Sequence, residues 1–451
     1  MAEIAKANAN ASRAFFVRML TRDISVEDCI LDLLDNSVDS AWKAHGRQPL
    51  TIKDGPDFSQ VRIDLDFDPE RFSIVDNGGG MSLKSAIDYA MTFGRNEPDP
   101  DNTAEYSIGV YGIGLKRAIF KIGRTIQIRS THGSGKQKIS FAVPIEVNDW
   151  VKDTSTDWDF PIMDAKPLPS NGLEIVIDNL TELASLTFED IEFAGTLMET
   201  IGRDYALHLH HGLQVYVNGD LVVGEVYRFY ESDGFVPQFD SWSETIDGKN
   251  VDVQIVAGLA FPPSDSNEPT DLGERQRKSG WYVACNGRIV LAADKTLLSV
   301  WGDDFPAWHP QYTGFLGLLA FTSDHTELLP LTTTKRSVDL SSIVYRRARP
   351  RMKETTRAWV SYTNGRKSDQ QAMEAAEKAA TRTPIFDLKP QQQVSLPRTT
   401  VSRQREGSVQ FSVPLVRIKN LAKAFGDGKM AYRVVGVKAF DYAYEELVEE
   451  E

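Results

Sequence analysis

The chain has 451 residues, of which 41% are apolar and 25% are charged. That balance is ordinary for a folded globular protein, and it excludes a disordered chain, a collagen-like chain and a disulfide scaffold. Fifty basic residues against sixty-four acidic ones give a net charge of −14, which argues against a general nucleic-acid coat. No apolar run approaches about 18 residues, so no membrane partner is predicted. The two cysteines lie in separate apolar runs, as is typical of buried thiols in a reducing compartment, and a cytoplasmic location is expected.

Hydrophobic periodicity in the first part of the chain predicts an α+β domain over residues 1–185. In chain order the predicted elements are a helix at 26–45, strands at 60–67 and 71–75, helices at 82–92 and 113–122, and strands at 125–130, 138–144 and 173–178. Helices mixed with alternating strands are typical of a two-layer arrangement.

A second unit is predicted over residues 186–345. Its predicted elements are a helix at 188–207 and strands at 213–218, 222–230, 251–261, 281–286 and 288–292. The Asn286-Gly287 pair between the last two strands is a strong hairpin signal. Three further segments are expected: a basic helix at 346–383, a linker at 384–408 rich in Pro, Gln, Ser and Thr, and a small C-terminal interaction element at 409–451.

The predicted helix at 28–42 has a polar and an apolar side. At about 100° per residue, four short polar side chains share one sector about 100° wide. They are Asp32, Asp35, Asn36 and Asp39. This face is either solvated or a site that offers oxygen ligands to Mg²⁺ and a carboxylate to orient a water. The absence of Lys and Arg from 23–42 favours the second interpretation, because nothing there relieves the repulsion between carboxylates.

Two glycine-rich segments are candidate ligand loops. Residues 74–82 place Asp76 before three glycines, which would let a ligand approach the backbone; a plain strand-to-helix turn is the alternative. Residues 109–117 open a predicted helix with three glycines and Lys116, an arrangement suited to binding a polyphosphate. Neither segment fits the Walker A or the G-x-G-x-x-G pattern.

In order and spacing, these segments resemble the boxes of the GHKL ATPases, the superfamily of gyrase B, the ninety-kilodalton heat-shock chaperone, histidine kinases and MutL. The first box, acidic-x-x-x-Asn with Asp three residues later, matches Asp32, Asn36 and Asp39. The second and third boxes match Asp76, Gly78 and Gly80 with Met81 following, and Gly109 to Lys116. The resemblance covers roughly residues 13–345.

The second unit narrows the resemblance. Its segment Pro330-Leu-Thr-Thr-Thr-Lys335 resembles the transducer segment whose Lys reaches back to the γ-phosphate. The chain is therefore closest in style to MORC-like or MutL-like proteins, which combine an ATPase domain and a transducer domain. No phosphoacceptor His box is visible, so kinase activity is not expected.

The resemblance implies a two-layer GHKL (Bergerat) ATP-binding sandwich, followed by a transducer-like α/β domain and a small C-terminal element. The implied cofactors are ATP and Mg²⁺. The implied catalytic residues are Asp32, which would orient the attacking water, and Lys335, which would stabilise charge on the γ-phosphate. The implied nucleotide-binding residues are Asn36, Asp39, Asp76, Gly78, Gly80, Met81, Gly109, Gly112, Ile113, Gly114, Leu115 and Lys116, with Asn36 also holding the Mg²⁺.

The family resemblance also implies moving parts. A lid is expected at 94–108, and a dimerisation arm at 1–22 would join two chains in an ATP-dependent homodimer. Packing of the arm on its own domain is the alternative. Proteins of MORC-like type in prokaryotes occur in DNA-repair and phage-defence contexts, which the resemblance extends to this chain.

Two departures from the family pattern leave two functions open. Asp32 stands where the familiar branches have Glu, and Leu173 stands where they have a Thr that helps to hold the adenine water. One hypothesis is a slow ATPase that uses clamp closure on DNA or on a partner protein. The alternative is an ATP-sensing scaffold that does not hydrolyse. Asp35 is the next candidate base if Asp32 is not the base.

The segment 335–366 is the candidate DNA contact. It contains nine basic and two acidic residues, a local charge of +7, with Trp359 and Tyr362 interleaved. A solvated basic helix that pairs with nearby acidic surface is the alternative. A partner protein is the other candidate client, and 409–451 is its candidate contact.

Overall fold

The computed structural model describes residues 12–46, 48–92, 106–109, 112–153, 155, 158–266, 271–304, 306–397, 409–410 and 412–448. The chain divides into two compact units, Met1–Thr399 and Thr400–Glu451. Mixed helices and sheets confirm the α+β class that the sequence predicted. In the described ranges, no helix combines the length and the apolar character that crossing a membrane requires.

The helices of the first unit are α1 (Arg13–Thr21), α2 (Val26–Ala44), α3 (Leu83–Ser85), α4 (Gly114–Ile122), α5 (Val147–Lys152), α6 (Glu182–Glu189), α7 (Phe193–Asp204), α8 (Ala206–His210), α9 (Leu272–Lys278), α10 (Ile343–Arg366) and α11 (Gln370–Ala379). A π-helical turn, Ala86–Ala90, continues α3. Its strands are β1 (Arg62–Phe67), β2 (Arg71–Asp76), β3 (Gly123–His132), β4 (Ile139–Glu146), β5 (Met163–Asp164), β6 (Gly172–Leu180), β7 (Gln214–Val217), β8 (Asp220–Leu221), β9 (Arg228–Glu231), β10 (Gln238–Ile246), β11 (Lys249–Leu259), β12 (Gly280–Cys285), β13 (Arg288–Asp294), β14 (Phe315–Thr322) and β15 (Thr381–Pro384).

The first unit contains two assemblies of sheet and helices, which we call the first and the second layer. The first layer consists of an eight-stranded sheet, in the order β5-β4-β3-β6-β2-β1-β7-β8, and of helices that include α2 and α4. Ser25 caps α2, because its Oγ accepts a hydrogen bond from the Asp28 N–H at 3.0 Å. The apolar side of α2, including Leu34, Val38 and Trp42, is fully buried in a core shared with α4 and the sheet. Burial of that side turns the polar side of α2 toward the start of α4 and the glycine-rich segment before it, which we call the phosphate loop after its predicted role.

The second layer is a five-stranded sheet in the order β10-β11-β14-β12-β13, with the long helix α10 packed on it. The predicted hairpin is confirmed: β12 and β13 pair antiparallel around Asn286 and Gly287, whose φ angles are +46° and +80°. Two positive φ angles are what a two-residue hairpin turn of this kind requires. From α10, Tyr345, Met352 and Trp359 are buried in the core of this layer.

The domain boundaries differ from those predicted. The first sheet does not end before residue 186, because β7 pairs parallel with β1 and extends that sheet. The basic helix is not a separate segment, because α10 is part of the second layer. The first half of the predicted linker is packed: Ile385 and Leu388 are buried, and Gln391 and Ser395 form bridges to the β10 region. Residues 398–408 lie outside the described residues.

The second unit contains the helices α12 (Leu415–Ala424) and α13 (Tyr432–Val448). Among its described residues, Ala422 and Val435 are buried. Phe440 and Leu447 are 58% and 81% exposed. The described residues of these two helices thus bury too little surface to form a core of their own.

Candidate functional site

A cavity of about 580 Å³ lies between α2, the loop after β2, the start of α4 and the second layer. That volume is in the range of small-molecule sites. The predicted residues that line it are Asp32, Asn36, Asp39, Gly78, Gly80, Met81, Gly109, Gly112, Ile113, Gly114, Leu115, Lys116 and Lys335. The fold therefore brings the three sequence boxes and a lysine from the second layer to one cavity.

Asp76 lies buried next to the cavity, beside Gly78. Its Oδ1 accepts the N–H groups of Gly78, at 2.9 Å, and Leu173, at 3.3 Å. Its Oδ2 accepts the Ser37 hydroxyl at 2.8 Å. Burial raises the pKa of Asp76 to about 6, although these hydrogen bonds act to lower it. The carboxylate is thus held in one orientation by three donors.

The glycine loop after β2 needs its glycines because the backbone comes very close to β3. A Cβ on Gly80 would stand 2.2 Å from the Thr131 carbonyl oxygen, and the φ of Gly80 is +69°. Met81 follows, and its N–H donates to Ser130 Oγ at 2.8 Å. Leu173 lines the cavity where the family has a hydroxyl. These contacts fix a backbone-lined end of the cavity that could receive a flat base.

Asp39 and Asn36 have different environments on α2. Asp39 accepts the N–H groups of Ile108 at 2.6 Å and Gly109 at 2.8 Å. Burial raises the pKa of Asp39 to about 6, against the effect of these hydrogen bonds. Asp39 therefore holds the segment that precedes the phosphate loop.

Asn36 is the residue that best tests the fit of a metal ion. Its Nδ2 is buried and has no hydrogen-bond partner within the described part of the chain, while the residue lines the cavity. An uncommitted amide at a cavity wall can offer its oxygen to a hard cation such as Mg²⁺. The described residues contain no cluster of three or more His, Cys, Asp or Glu side chains arranged to hold a metal. The residues present therefore fit a Mg²⁺ only if the phosphate oxygens of a bound ligand complete the coordination that the Asn36 oxygen would begin.

The phosphate loop leads into α4. Gly112 has a φ of +66°, and α4 begins at Gly114. The first N–H groups of a helix have no partner within the helix and favour anions. Lys116 lines the cavity, but its Nζ donates to the carbonyls of Ala90 at 2.9 Å and Gly112 at 2.5 Å. Part of its donor capacity thus holds the loop itself, which the sequence did not predict.

Asp32 lies where the phosphate loop and the second layer meet. Its Oδ2 accepts hydrogen bonds from Arg117, through Nε at 3.2 Å and also through Nη2. Its Oδ1 lies 3.4 Å from Lys335 Nζ. Both carboxylate oxygens of the predicted base therefore face cations.

Lys335 reaches the first layer as the sequence predicted. Its Nζ donates to Asp35 Oδ2 at 2.7 Å, its side chain is 8% exposed, and its φ is +54°. A left-handed backbone at a buried lysine is a strained arrangement of the kind found at functional sites. Burial acts to raise the pKa of Asp35, but Lys335 and Arg288 outweigh it and lower that pKa. Asp35, the alternative base, is fully buried and already bound to these partners.

Behind Asp35, buried ion pairs join the two layers. Arg288 donates to Asp35 at 3.0 Å and to Asp204 at 2.9 Å. Arg336 donates to Asp204 at 2.9 Å and also pairs with Asp28. Lys335, Arg288 and Arg336 of the second layer therefore all pair with carboxylates of the first layer.

The predicted DNA segment is largely neutralised. Seven of its nine basic residues form ion pairs within the first unit: Lys335, Arg336, Arg347, Arg349, Arg351, Lys353 and Arg366. Their partners include Asp240, Glu244 and Asp303, from other parts of the chain. The structure thus favours the alternative interpretation, a basic helix that pairs with nearby acidic surface.

The predicted moving parts are described only in part. Residues 93–105 of the lid region and residues 1–11 of the arm lie outside the described residues. The helix α1 packs on its own domain, where Arg13 donates to the Trp150 carbonyl at 2.8 Å. Phe15 on α1 is 53% exposed. The described part of the arm therefore follows the alternative that the sequence left open.

The sequence did not predict several residues of the site, among them Arg117 and Ser37, and Lys43, His132 and Thr333 of the cavity lining. Arg117 follows Lys116 directly, and a second cation beside the phosphate loop was the available signal. Ser37 is a polar residue next to Asn36 on the same helix, although it points to Asp76 in the core.

Comparison with known proteins agrees with this geometry. Residues 24–170, about a third of the chain, match the family described as Histidine kinase-, DNA gyrase B-, and HSP90-like ATPase. No curated protein matches the chain. The matched residues include α2, both glycine loops and the start of α4, and with them every residue of the three boxes. Residues 24–170 therefore form a domain of the histidine kinase-, DNA gyrase B- and HSP90-like ATPase type.

Proposed function

We propose that the chain is a cytoplasmic, Mg²⁺-dependent ATPase of slow turnover, in which ATP engages both layers of the first unit. The observation that carries the proposal is the single cavity lined by the three family boxes together with Lys335. Lys335 pairs there with Asp35 and lies near Asp32, and its strained backbone supports a functional role in addition to those ion pairs.

The nucleotide would lie with its base at the Asp76 end. Asp76 would accept a hydrogen bond from the exocyclic amino group, and Met81 would pack on the ring. The N–H groups at the start of α4 would bind the β- and γ-phosphates. Lys335 would exchange its contacts with Asp32 and Asp35 for the γ-phosphate.

Asn36 and the phosphates would hold the Mg²⁺, whose role is to neutralise charge that develops on the phosphates. Asp32 would accept a hydrogen bond from the attacking water and take up its proton. Because the protein's own contribution is positioning and charge stabilisation, small shifts of Asp32 should change turnover strongly.

The clamp that the family resemblance implies remains part of the proposal. We expect ATP-dependent homodimerisation and a protein client, with repair or phage defence as its setting in the MORC-like or MutL-like branch. DNA contact through 335–366 has less support, since most of that positive charge is already paired.

An ATP-sensing scaffold that does not hydrolyse is the second candidate. The observation in its favour is that both oxygens of Asp32 face cations. Both cations stabilise the ionised carboxylate and compete with a water for its acceptor sites, so they make Asp32 a weaker base.

Phosphate release with and without Mg²⁺ separates the two candidates. Asp32→Asn should keep nucleotide affinity and lower turnover by about a hundredfold or more, because it preserves size and removes the base. Asn36→Ala should remove the effect of Mg²⁺ on nucleotide affinity. Asp64→Asn, a half-buried carboxylate on β1 paired with Arg62, is the control and should change neither. A wild-type rate indistinguishable from that of Asp32→Asn, with ATP bound tightly, would favour the scaffold.

A further inference from the structure

We infer that Arg117 is a positioning residue, which fixes the Asp32 carboxylate so that its Oδ1 is the oxygen presented to the attacking water. The inference rests on the proposed ATPase function and adds to it a residue that the three family boxes do not include. Arg117 would act through Asp32, not on the nucleotide.

The geometry selects one oxygen. Two donors of Arg117, Nε and Nη2, converge on Oδ2 of Asp32, so that oxygen is committed. Gly114 packs close to the same oxygen, because an added Cβ there would stand 3.4 Å from Asp32 Cγ and 3.5 Å from its Oδ2. Asp32 and Arg117 are 4% and 8% exposed. Their pairing is therefore shielded from water and screened little by salt.

The two cations beside Asp32 differ in how they are held. Arg117 and Asp32 belong to α4 and α2, which pack in the same core, so a movement between the layers leaves their pair intact. Lys335 comes from the second layer and lies closer to Asp35, at 2.7 Å, than to Asp32, at 3.4 Å. Lys335 is therefore the cation that can leave Asp32, and Arg117 is the one that stays.

Departure of Lys335 would leave Oδ1 as the open acceptor. There it can accept a proton of the water whose oxygen bonds to the γ-phosphorus, while the bond from that phosphorus to the bridging oxygen breaks and ADP leaves with its electron pair. Asp is one methylene shorter than the Glu of related proteins, so its reach depends on a fixed orientation. Near-attack geometry is sensitive to displacements of about 1 Å.

The test compares Arg117→Met, Arg117→Lys and Asp32→Asn, alone and combined, in the full chain. Steady-state phosphate release gives kcat and KM for ATP, and calorimetry gives the affinity for Mg·ADP. Arg129→Met is the matched control, because Arg129 also pairs a carboxylate, that of Glu174, through Nε and Nη2, but does not line the cavity.

Arg117→Met should lower kcat by about tenfold to a hundredfold, with KM and ADP affinity changed by less than about twofold. Arg117→Lys should restore part of the rate, and Arg129→Met should match the wild type. Arg117→Met should add nothing to Asp32→Asn, because residues that act as a unit are not additive.

The other outcomes overturn the inference, and they are distinguishable. A wild-type chain that releases no phosphate overturns the proposed function and this inference together. A working wild type with an unaffected Arg117→Met variant overturns the inference alone, as do additive effects in the double variant. A faster Arg117→Met variant would show that the ion pair is a brake. Parallel losses of kcat and ADP affinity would show that Arg117 only supports the fold.

Discussion

His208 is a buried histidine whose ring nitrogens have no hydrogen-bond partner among the described residues. It lies against Trp42, Phe58 and Tyr205, between the first layer and the turn at Gly287. Burial lowers its pKa from 6.5 to about 3. The ring is therefore neutral in the folded chain and acts as part of an aromatic cluster.

The lowered pKa of His208 makes the free energy of unfolding depend on pH. Below about pH 6.5 His208 binds a proton in the unfolded chain but not in the folded chain. The free energy of unfolding therefore falls as the pH drops toward 3. His208→Leu removes the effect. We take the free energy of unfolding of His208→Leu minus that of the wild type. This difference should be about 2 kcal/mol larger at pH 5 than at pH 7, because each pH unit contributes up to about 1.36 kcal/mol.

Denaturant unfolding of both chains at the two pH values measures this difference. The subtraction is needed because Asp39 and Asp76, whose pKa values are raised to about 6, oppose it in both chains. A pH-independent difference would mean that His208 takes up its proton in the folded state.

At the scale of elements, the segment between β14 and α10 carries two adjacent cations with different partners. Lys335 lines the cavity and pairs with Asp35. Arg336 turns to Asp28 and Asp204. These two adjacent cations therefore allow a matched comparison of variants, because Lys335 lines the cavity and Arg336 does not.

Lys335→Met should weaken binding of a non-hydrolysable ATP analogue by about tenfold to a hundredfold, with Mg·ADP affinity nearly unchanged. ADP has no γ-phosphate, and one hydrogen bond to a charged group contributes about 1.5–3 kcal/mol. Calorimetry with both nucleotides measures the ratio. Arg336→Met should lower stability without changing that ratio.

Equal losses for both nucleotides would place Lys335 outside γ-phosphate recognition. If Arg336→Met also lowered the affinity for the ATP analogue relative to that for Mg·ADP, the ion pairs behind the cavity would act as one unit. Lys335→Arg, which keeps the charge, should retain part of the discrimination.

What the sequence predicted at this scale was local. Asp32, Asn36 and Asp39 lie within two turns of one helix, so their periodicity alone places them on one face. The pairing of Arg117 with Asp32 joins residues 85 positions apart, and that of Arg288 with Asp35 joins residues 253 apart. Such contacts follow from how elements pack, which periodicity does not encode.

The strand β7 illustrates the same limit. Its four residues alternate in burial, as a strand of either sheet would, and only pairing with β1 assigns it to the first sheet. The basic segment differs because its neutralising partners, such as Asp240 and Asp303, come from distant parts of the chain. The local net charge of the segment 335–366 therefore suggested more positive charge free to bind DNA than the folded chain offers.

At the scale of the whole molecule, the two compact units differ in how well they can sustain a fold. The first unit has two large cores, one in each layer. The second unit has two helices with exposed apolar side chains, among them Phe440 and Leu447. We therefore expect the first unit to carry nucleotide binding alone and the second to depend on a partner.

A chain that ends at residue 399 should keep its thermal midpoint within about 2 °C, which for a unit of this size corresponds to about 1 kcal/mol or less, and should keep its affinity for Mg·ADP. A chain that ends at residue 390 is the matched control. It lacks the bridges of Gln391 to Phe239 and of Ser395 to Val236, so it should melt at a clearly lower temperature. Scanning calorimetry and nucleotide titration measure both truncations. If the chain that ends at residue 399 also melts several degrees lower, the helices α12 and α13 contribute to the stability of the first unit. Their exposed apolar side chains are then not reserved for a partner.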